Sequence, residues 1–170
     1  MSGYDAVVYD LDGTLVRLAV DWDAVAREVA GVLVERGVDP PDGLWGMLEV
    51  ADETGHRDSV EAAIARHEER GARDSERLPT AEELPREEPV GVCSLNCERS
   101  CRVALSTHDL TSHVRAVVGR DSVATEKPDP EPLLAAVDAL GAAPERTLFV
   151  GDGERDERTA ERAGTAFRYV

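Results

Sequence analysis

Two aspartates one residue apart, Asp10 and Asp12, end the apolar run Ala6-Val7-Val8-Tyr9 and lead directly into Gly13 and Thr14. Carboxylates confined to one pocket repel each other unless a cation or a proton intervenes. The pair therefore suits Mg2+ coordination, nucleophilic attack, or a divided acid and base role. An Asp-Gly step also makes an ordinary turn, so the rest of the chain has to decide between chemistry and punctuation.

Three other places offer reactive groups. Ser94 ends a second apolar run, Val90 to Ser94, where its hydroxyl and the N–H groups of a following helix could receive an anion; turn or N-cap duty is the plain alternative. Lys127, in Glu126-Lys127-Pro128, is the only lysine among 19 basic residues, the others being arginine. A compact ammonium approaches phosphoryl oxygens and carboxylates as a point charge, where a planar guanidinium demands forked geometry. Asp152 and Asp156 lie about one helical turn apart in Gly151-Asp152-Gly153-Glu154-Arg155-Asp156, after a third apolar run. Together with Asp10 and Asp12 they form an oxygen donor set suited to a hard cation such as Mg2+.

Strands have to carry these groups to one place. Ala6 to Tyr9 is apolar without alternation, as in a strand buried on both faces, and Gly13 allows a sharp exit. The pattern then turns helical, with stripes at Val25, Val29, Val32 and Leu33, at Leu44, Met47 and Leu48, and at Val60, Ala63, Ile64 and His67. From about Arg17 to Pro85 only helices are expected, packed as a small bundle. Beyond that, strands are expected at Val90 to Ser94, Ser122 to Ala124, Thr147 to Val150 and Ala166 to Val170. Helices at Cys97 to Leu105, Glu131 to Leu140 and Arg155 to Ala163 alternate with them. Such alternation implies an α/β protein with a parallel sheet and right-handed crossovers, and ligands gather at the carboxyl ends of its strands. The polar, proline-bearing stretch Glu82 to Glu88 reads as a hinge.

Composition narrows the setting. With 35 acidic against 19 basic residues the formal charge is −16, which argues against nucleic acid as a partner. Arginine in place of lysine and acid spread over the whole chain resemble a protein of a salt-rich cytoplasm, where molar salt cuts the Debye length to about 3 Å. No apolar run is long enough for a membrane span and no basic-then-apolar leader opens the chain, so a soluble cytoplasmic protein is expected, as monomer or homodimer. Cys93, Cys97 and Cys101 follow at intervals of four, matching neither a zinc site nor a redox pair, and read as small core residues.

Asp10-Leu11-Asp12-Gly13-Thr14, Ser94, Lys127-Pro128, and Gly151-Asp152 with Asp156 are the four motifs of the haloacid dehalogenase superfamily in their order, and the chain resembles its phosphatase branch, phosphoglycolate phosphatases included. The resemblance implies a Rossmann-like catalytic core from residues 1–16 and 86–170 and a small helical cap from residues 17–85. It further implies a Mg2+-dependent hydrolase of small phosphorylated metabolites. By that likeness Asp10 is the nucleophile, forming an aspartyl-phosphate, and Asp12 protonates the leaving oxygen and later deprotonates water. Thr14, Ser94 and Lys127 hold the phosphoryl group. By the same likeness Mg2+ is held by the Asp10 carboxylate, the Asp12 backbone carbonyl and Asp152, with Asp156 ligating through water or positioning Lys127. The second aspartate favours a phosphate ester over a halo-acid, because a halide leaves without a proton. A phosphomutase, and a non-enzymatic phospho-acceptor resembling a receiver domain, are the rivals.

The chain departs from the family pattern at Glu126, where glycine is usual, and in the short connection before Val90. Arg17 is the expected substrate-facing residue of the cap. Trp22 and Trp45 are expected in the cap core, with an aromatic lid as the alternative, and His67 is expected to pack. Ser106, His108 and Asp109 carry the residue types of a hydrolase triad, but triads are assembled from separate segments.

Overall fold

In the computed structural model, residues 3–170 are described; Met1 and Ser2, the start of the expected core segment, lie outside them. The backbone of the fold is a five-stranded sheet with every pairing parallel, in the order β5-β4-β1-β6-β7. Its strands are β1 (Ala6–Tyr9), β4 (Val90–Cys93), β5 (Ala116–Val118), β6 (Thr147–Gly151) and β7 (Ala166–Tyr169). Helices α4 (Glu98–Thr107), α5 (Glu131–Ala139) and α6 (Glu154–Ala163) connect them.

Every residue of β1 is buried because side chains alternate between two covered faces. Val7 and Tyr9 join Val90, Val92 and the α4 residues Cys101, Ala104 and Leu105 on one side. Val8 joins Phe149, Leu133 and Val137 of α5, and Ala160 of α6 on the other. Each face is thus closed by amphipathic helices, as an all-parallel sheet requires. The order places β1 between β4 and β6, so the segments after all three strands meet at one end of the sheet.

Between β1 and β4 the chain builds a helical unit from α1 (Trp22–Glu35), α2 (Leu44–Glu53) and α3 (Arg57–Arg73). It has a core of its own: Val25, Val29 and Leu33 pack with Met47, Leu48 and Ala51 and with Val60, Ala63 and Ile64. Asp21 starts α1 by accepting the N–H of Ala24 at 3.0 Å.

Four expectations change. The segment from Arg17 to Pro85 is not wholly helical, because β2 (Val16–Arg17) and β3 (Glu76–Arg77) pair antiparallel and a 3-10 turn runs from Pro79 to Glu83. Strands of two residues are too short for any hydrophobic period to register. The third core strand is Ala116–Val118, not Ser122 to Ala124. There Ser122 sits in a turn, accepting from the Gly119 N–H at 2.8 Å and donating to Glu98 Oε2 at 2.7 Å. The stretch 82–88 is no free hinge, since Glu83 accepts from Tyr9 Oη at 2.7 Å and pairs with Arg86 and Arg168, while Leu84 is buried in the sheet core. Trp22 and Trp45 are not core residues either; they are 41% and 42% exposed.

Candidate active site

After Tyr9 the Asp10 N–H still donates to the Val150 carbonyl at 2.9 Å, which holds Asp10 at the tip of β1 with its side chain almost wholly buried. The chain then turns tightly. Leu15 and Val16 both donate to the Leu11 carbonyl, and Gly13 donates to that of Val16 at 2.7 Å. Gly13 has φ +86°, and a Cβ there would collide with the Asp152 carboxylate, so glycine is required twice over. Asp12 accepts the Leu18 N–H at 2.9 Å, an interaction that fixes its carboxylate at the start of the helical unit.

Lys127 reaches this strand tip from the loop between β5 and α5. Its Nζ is buried and donates to Asp10 Oδ1 at 2.9 Å, Asp156 Oδ1 at 2.5 Å and the Cys93 carbonyl at 3.2 Å. Asp156 is in the first turn of α6, against Gly151, where a Cβ would overlap the carboxylate. Carboxylate oxygens of Asp10, Asp152 and Asp156 lie within 4.8 Å of one another. One ammonium among three carboxylates leaves a net negative pocket of hard oxygen donors, a set that fits Mg2+.

The electrostatics follow from burial. Desolvation raises the Asp10 pKa, opposed by Lys127 and reinforced by Asp156. Burial likewise raises Asp12, with the Leu18 N–H pulling the other way and Asp152 and Glu68 adding to the rise. For Lys127, burial works against the charge, but Asp10 and Asp156 more than offset it and hold the ammonium protonated.

Ser94 follows β4 and is buried, its Oγ donating to Asn96 Oδ1 at 3.0 Å and accepting from the Asn96 N–H at 3.0 Å. Asp10, Asp12, Ser94, Lys127, Asp152 and Asp156 all line one cavity of about 560 Å³. Two expected residues are not on it. Thr14 is enclosed, and its hydroxyl has no hydrogen-bond partner among the described residues. Arg17 is exposed on the β2–β3 ribbon, where it pairs with Glu76 at 3.3 Å; it does not line the cavity, although its charge still pulls the Asp12 pKa down.

The helical unit supplies Trp22, Leu44, Trp45 and Leu48 to the same cavity, which makes the tryptophans wall residues. Sequence reading missed Glu68 and Arg120, which also line it. Glu68 is fully buried on α3, and Arg120 follows β5. A signal for Glu68 existed, since it continues the helical face of Val60 and Ile64 with a charge where an apolar residue belongs. Its partner is 52 residues away and carries no such mark.

The decoys find other partners. His108 Nε2 hydrogen-bonds Ser75 Oγ at 2.9 Å, and His67 Nε2 meets Glu28 Oε2 at 2.5 Å. All three cysteines are free and buried, and burial pushes the Cys93 thiol up to about 12 and Cys97 up to about 11. They are inert core residues.

A parallel sheet whose strand tips gather acids, a hydroxyl and a buried lysine defines a hydrolase of the haloacid dehalogenase-like family. The chain belongs to that family, whose model matches residues 80–170. It is 33% identical to a phosphoglycolate phosphatase of Rhodospirillum rubrum over 94% of this chain and 76% of the relative. That alignment runs over 185 positions against 170 residues here, so the relative carries residues without a counterpart in this chain. An N-acetylmuramic acid 6-phosphate phosphatase of Pseudomonas putida is 29% identical over 96% of this chain and 82% of its own length. Among solved structures, a HAD-superfamily hydrolase of subfamily IA from Geobacter sulfurreducens superposes with TM-score 0.65 at 26% identity, covering 96% of this chain and 88% of that one. The protein is a phosphatase by this kinship, and the non-enzymatic phospho-acceptor reading falls away.

Proposed function

We propose that the protein is a Mg2+-dependent phosphomonoesterase of a small phosphorylated metabolite, working through a covalent phosphate on Asp10. The observation that carries this reading is the Lys127 ammonium bridging Asp10 and Asp156 beneath a cavity that Asp12 also lines. An Asp10 oxygen attacks phosphorus, and the bond to the leaving oxygen breaks as Asp12 delivers its proton. Water then attacks the aspartyl-phosphate, Asp12 takes a proton from it, and Asp10 is regenerated with release of phosphate. A raised Asp12 pKa suits a group that must hold a proton in one step and accept one in the next.

Ser94 and Lys127 hold the phosphoryl oxygens, with Thr14 supporting the loop from within. The carboxylates of Asp10, Asp152 and Asp156, with the Asp12 carbonyl, would hold Mg2+. A bound Mg2+ supplies positive charge against the phosphoryl oxygens and relieves the repulsion among the acids. Lys127 keeps the Asp10 carboxylate oriented and neutralises charge on the transferring group.

In this reading residues 17–85 form the cap that covers the leaving group, over a core of residues 1–16 and 86–170. The relatives' substrates, phosphoglycolate and N-acetylmuramic acid 6-phosphate, support a small phosphorylated substrate. The charge of −16 supports a salt-rich cytoplasm as the working medium, and no described helix is long and apolar enough to cross a membrane. The direct test is phosphate release from a panel of phosphate esters with Mg2+ in molar KCl. Turnover that survives Asp10→Asn would overturn the mechanism.

A further inference from the structure

Three positively charged side chains line the cavity, and two of them are committed. Lys127 is held by Asp10 and Asp156, and Arg120 by Glu61, Glu68 and the Leu95 carbonyl. Arg155 is different. It stands exposed in the first turn of α6, and among the described residues its guanidinium has no carboxylate or hydrogen-bond partner. It lies instead over the indole ring of Trp45, 4.9 Å from the ring centroid. The acids beside it are occupied: Glu154 pairs with Arg158 at 2.5 Å, and Asp152 belongs to the carboxylate cluster.

An indole attracts a guanidinium through the ring face and leaves the in-plane N–H donors free for a second partner. Stacking also restrains a long side chain before any ligand arrives, which lowers the ordering cost of binding. Trp45 belongs to α2 and Arg155 to α6, so the pair joins the helical unit and the sheet unit on the cavity wall. A cavity of about 560 Å³ has room for more than a phosphoryl group. In a protein of charge −16, whose cavity already displays several acids, an anionic tail needs a local cation that is not otherwise engaged.

We infer that Arg155, oriented by Trp45, is a specificity-determining residue that receives a second anionic group on the leaving-group side of the phosphate ester. A carboxylate matches its forked donors best. The inference rests on the phosphomonoesterase reading and goes further by selecting esters with an anionic tail over those with a neutral one.

The test compares phosphoglycolate, which bears a carboxylate, with glycerol 3-phosphate, which does not. In Arg155→Gln the ratio of kcat/KM for the first ester over the second falls about tenfold or more, with the loss in KM. Arg155→Lys, which keeps the charge without the fork, gives an intermediate ratio, and Trp45→Leu shifts the ratio the same way by less. Equal losses on both esters, or an unchanged ratio, would overturn the assignment. Equilibrium binding to Asp10→Asn protein, read by the fluorescence of Trp22 and Trp45, separates this from the catalytic reading. Preferential binding of phosphoglycolate that Arg155→Gln abolishes supports the assignment whatever the turnover. Equal binding of both esters overturns it even in an active phosphatase.

Discussion

Glu68 of α3 and Arg120 beyond β5 meet at 2.8 Å with both side chains withdrawn from solvent, so an ion pair fastens the helical unit to the sheet unit at the cavity wall. The two groups are fully engaged. Arg120 also takes both oxygens of Glu61 and the Leu95 carbonyl, while Glu68 accepts from Asn96 Nδ2 at 3.1 Å and the Cys97 N–H at 3.0 Å. Glu68 thereby ties α3 to the loop that carries Ser94.

Removing one member of such a pair leaves the other as an uncompensated buried charge. Arg120→Leu is expected to cost about 3–5 kcal/mol in urea unfolding, and the double variant Glu68→Gln/Arg120→Leu to recover part of it. Added salt will not rescue the single variant, because ions do not screen a buried site as they screen a surface.

Glu61 gives this contact its pH dependence. Burial pushes its carboxyl up, but Arg120 and Arg57 outweigh that and bring it below the ordinary glutamate value of 4.5. A carboxylate with a lowered folded pKa stabilises fully above the unfolded value and loses that contribution as pH falls through the folded one. The stability gap between wild type and Glu61→Gln should be widest above pH 4.5 and should close on acidification, as read by denaturation from pH 7 to pH 3.

At the strand tips the variants should separate by role. Asp10→Asn is expected to lose turnover by at least about a thousandfold. Asp12→Asn should fall by about 10²–10⁴, the usual worth of a positioned acid and base. Lys127→Arg should lose about 10²-fold with the fold intact by circular dichroism, since a planar fork cannot replace one nitrogen that reaches Asp10, Asp156 and the Cys93 carbonyl together.

Mg2+ should raise the melting temperature, with about 2.7 kcal/mol of stabilisation at a hundred times its Kd. The gain should shrink in Asp152→Asn and Asp156→Asn and vanish in chelator. A wild-type melting curve indifferent to Mg2+ would remove the cation from the mechanism.

Salt should act on the surface instead. Raising KCl from 0.1 to 2 M shortens the Debye length from about 10 Å to below 3 Å, so self-repulsion in a chain of charge −16 weakens and the melting temperature climbs. A flat response would count against a salt-rich working medium.

The reactive groups were legible in the sequence because strand ends are marked by short apolar runs followed by a polar break. Asp10, Asp12, Ser94, Asp152 and Asp156 each follow such a run, and Lys127 stood out by being the lone lysine. Local pattern also marked α1, α2 and α3, whose apolar faces repeat within one segment. Only the tertiary structure decided which residues wall the cavity. Trp22 and Trp45 are large apolar residues that would suit a core but stand at the cavity, Arg17 sits on the β2–β3 ribbon outside the cavity lining, and Glu68 finds Arg120 far along the chain. Chemistry at a strand tip is set by residues close in sequence and by one period of side-chain alternation. A cavity wall is set by how separately folded units dock, through contacts between distant residues that no local spacing encodes.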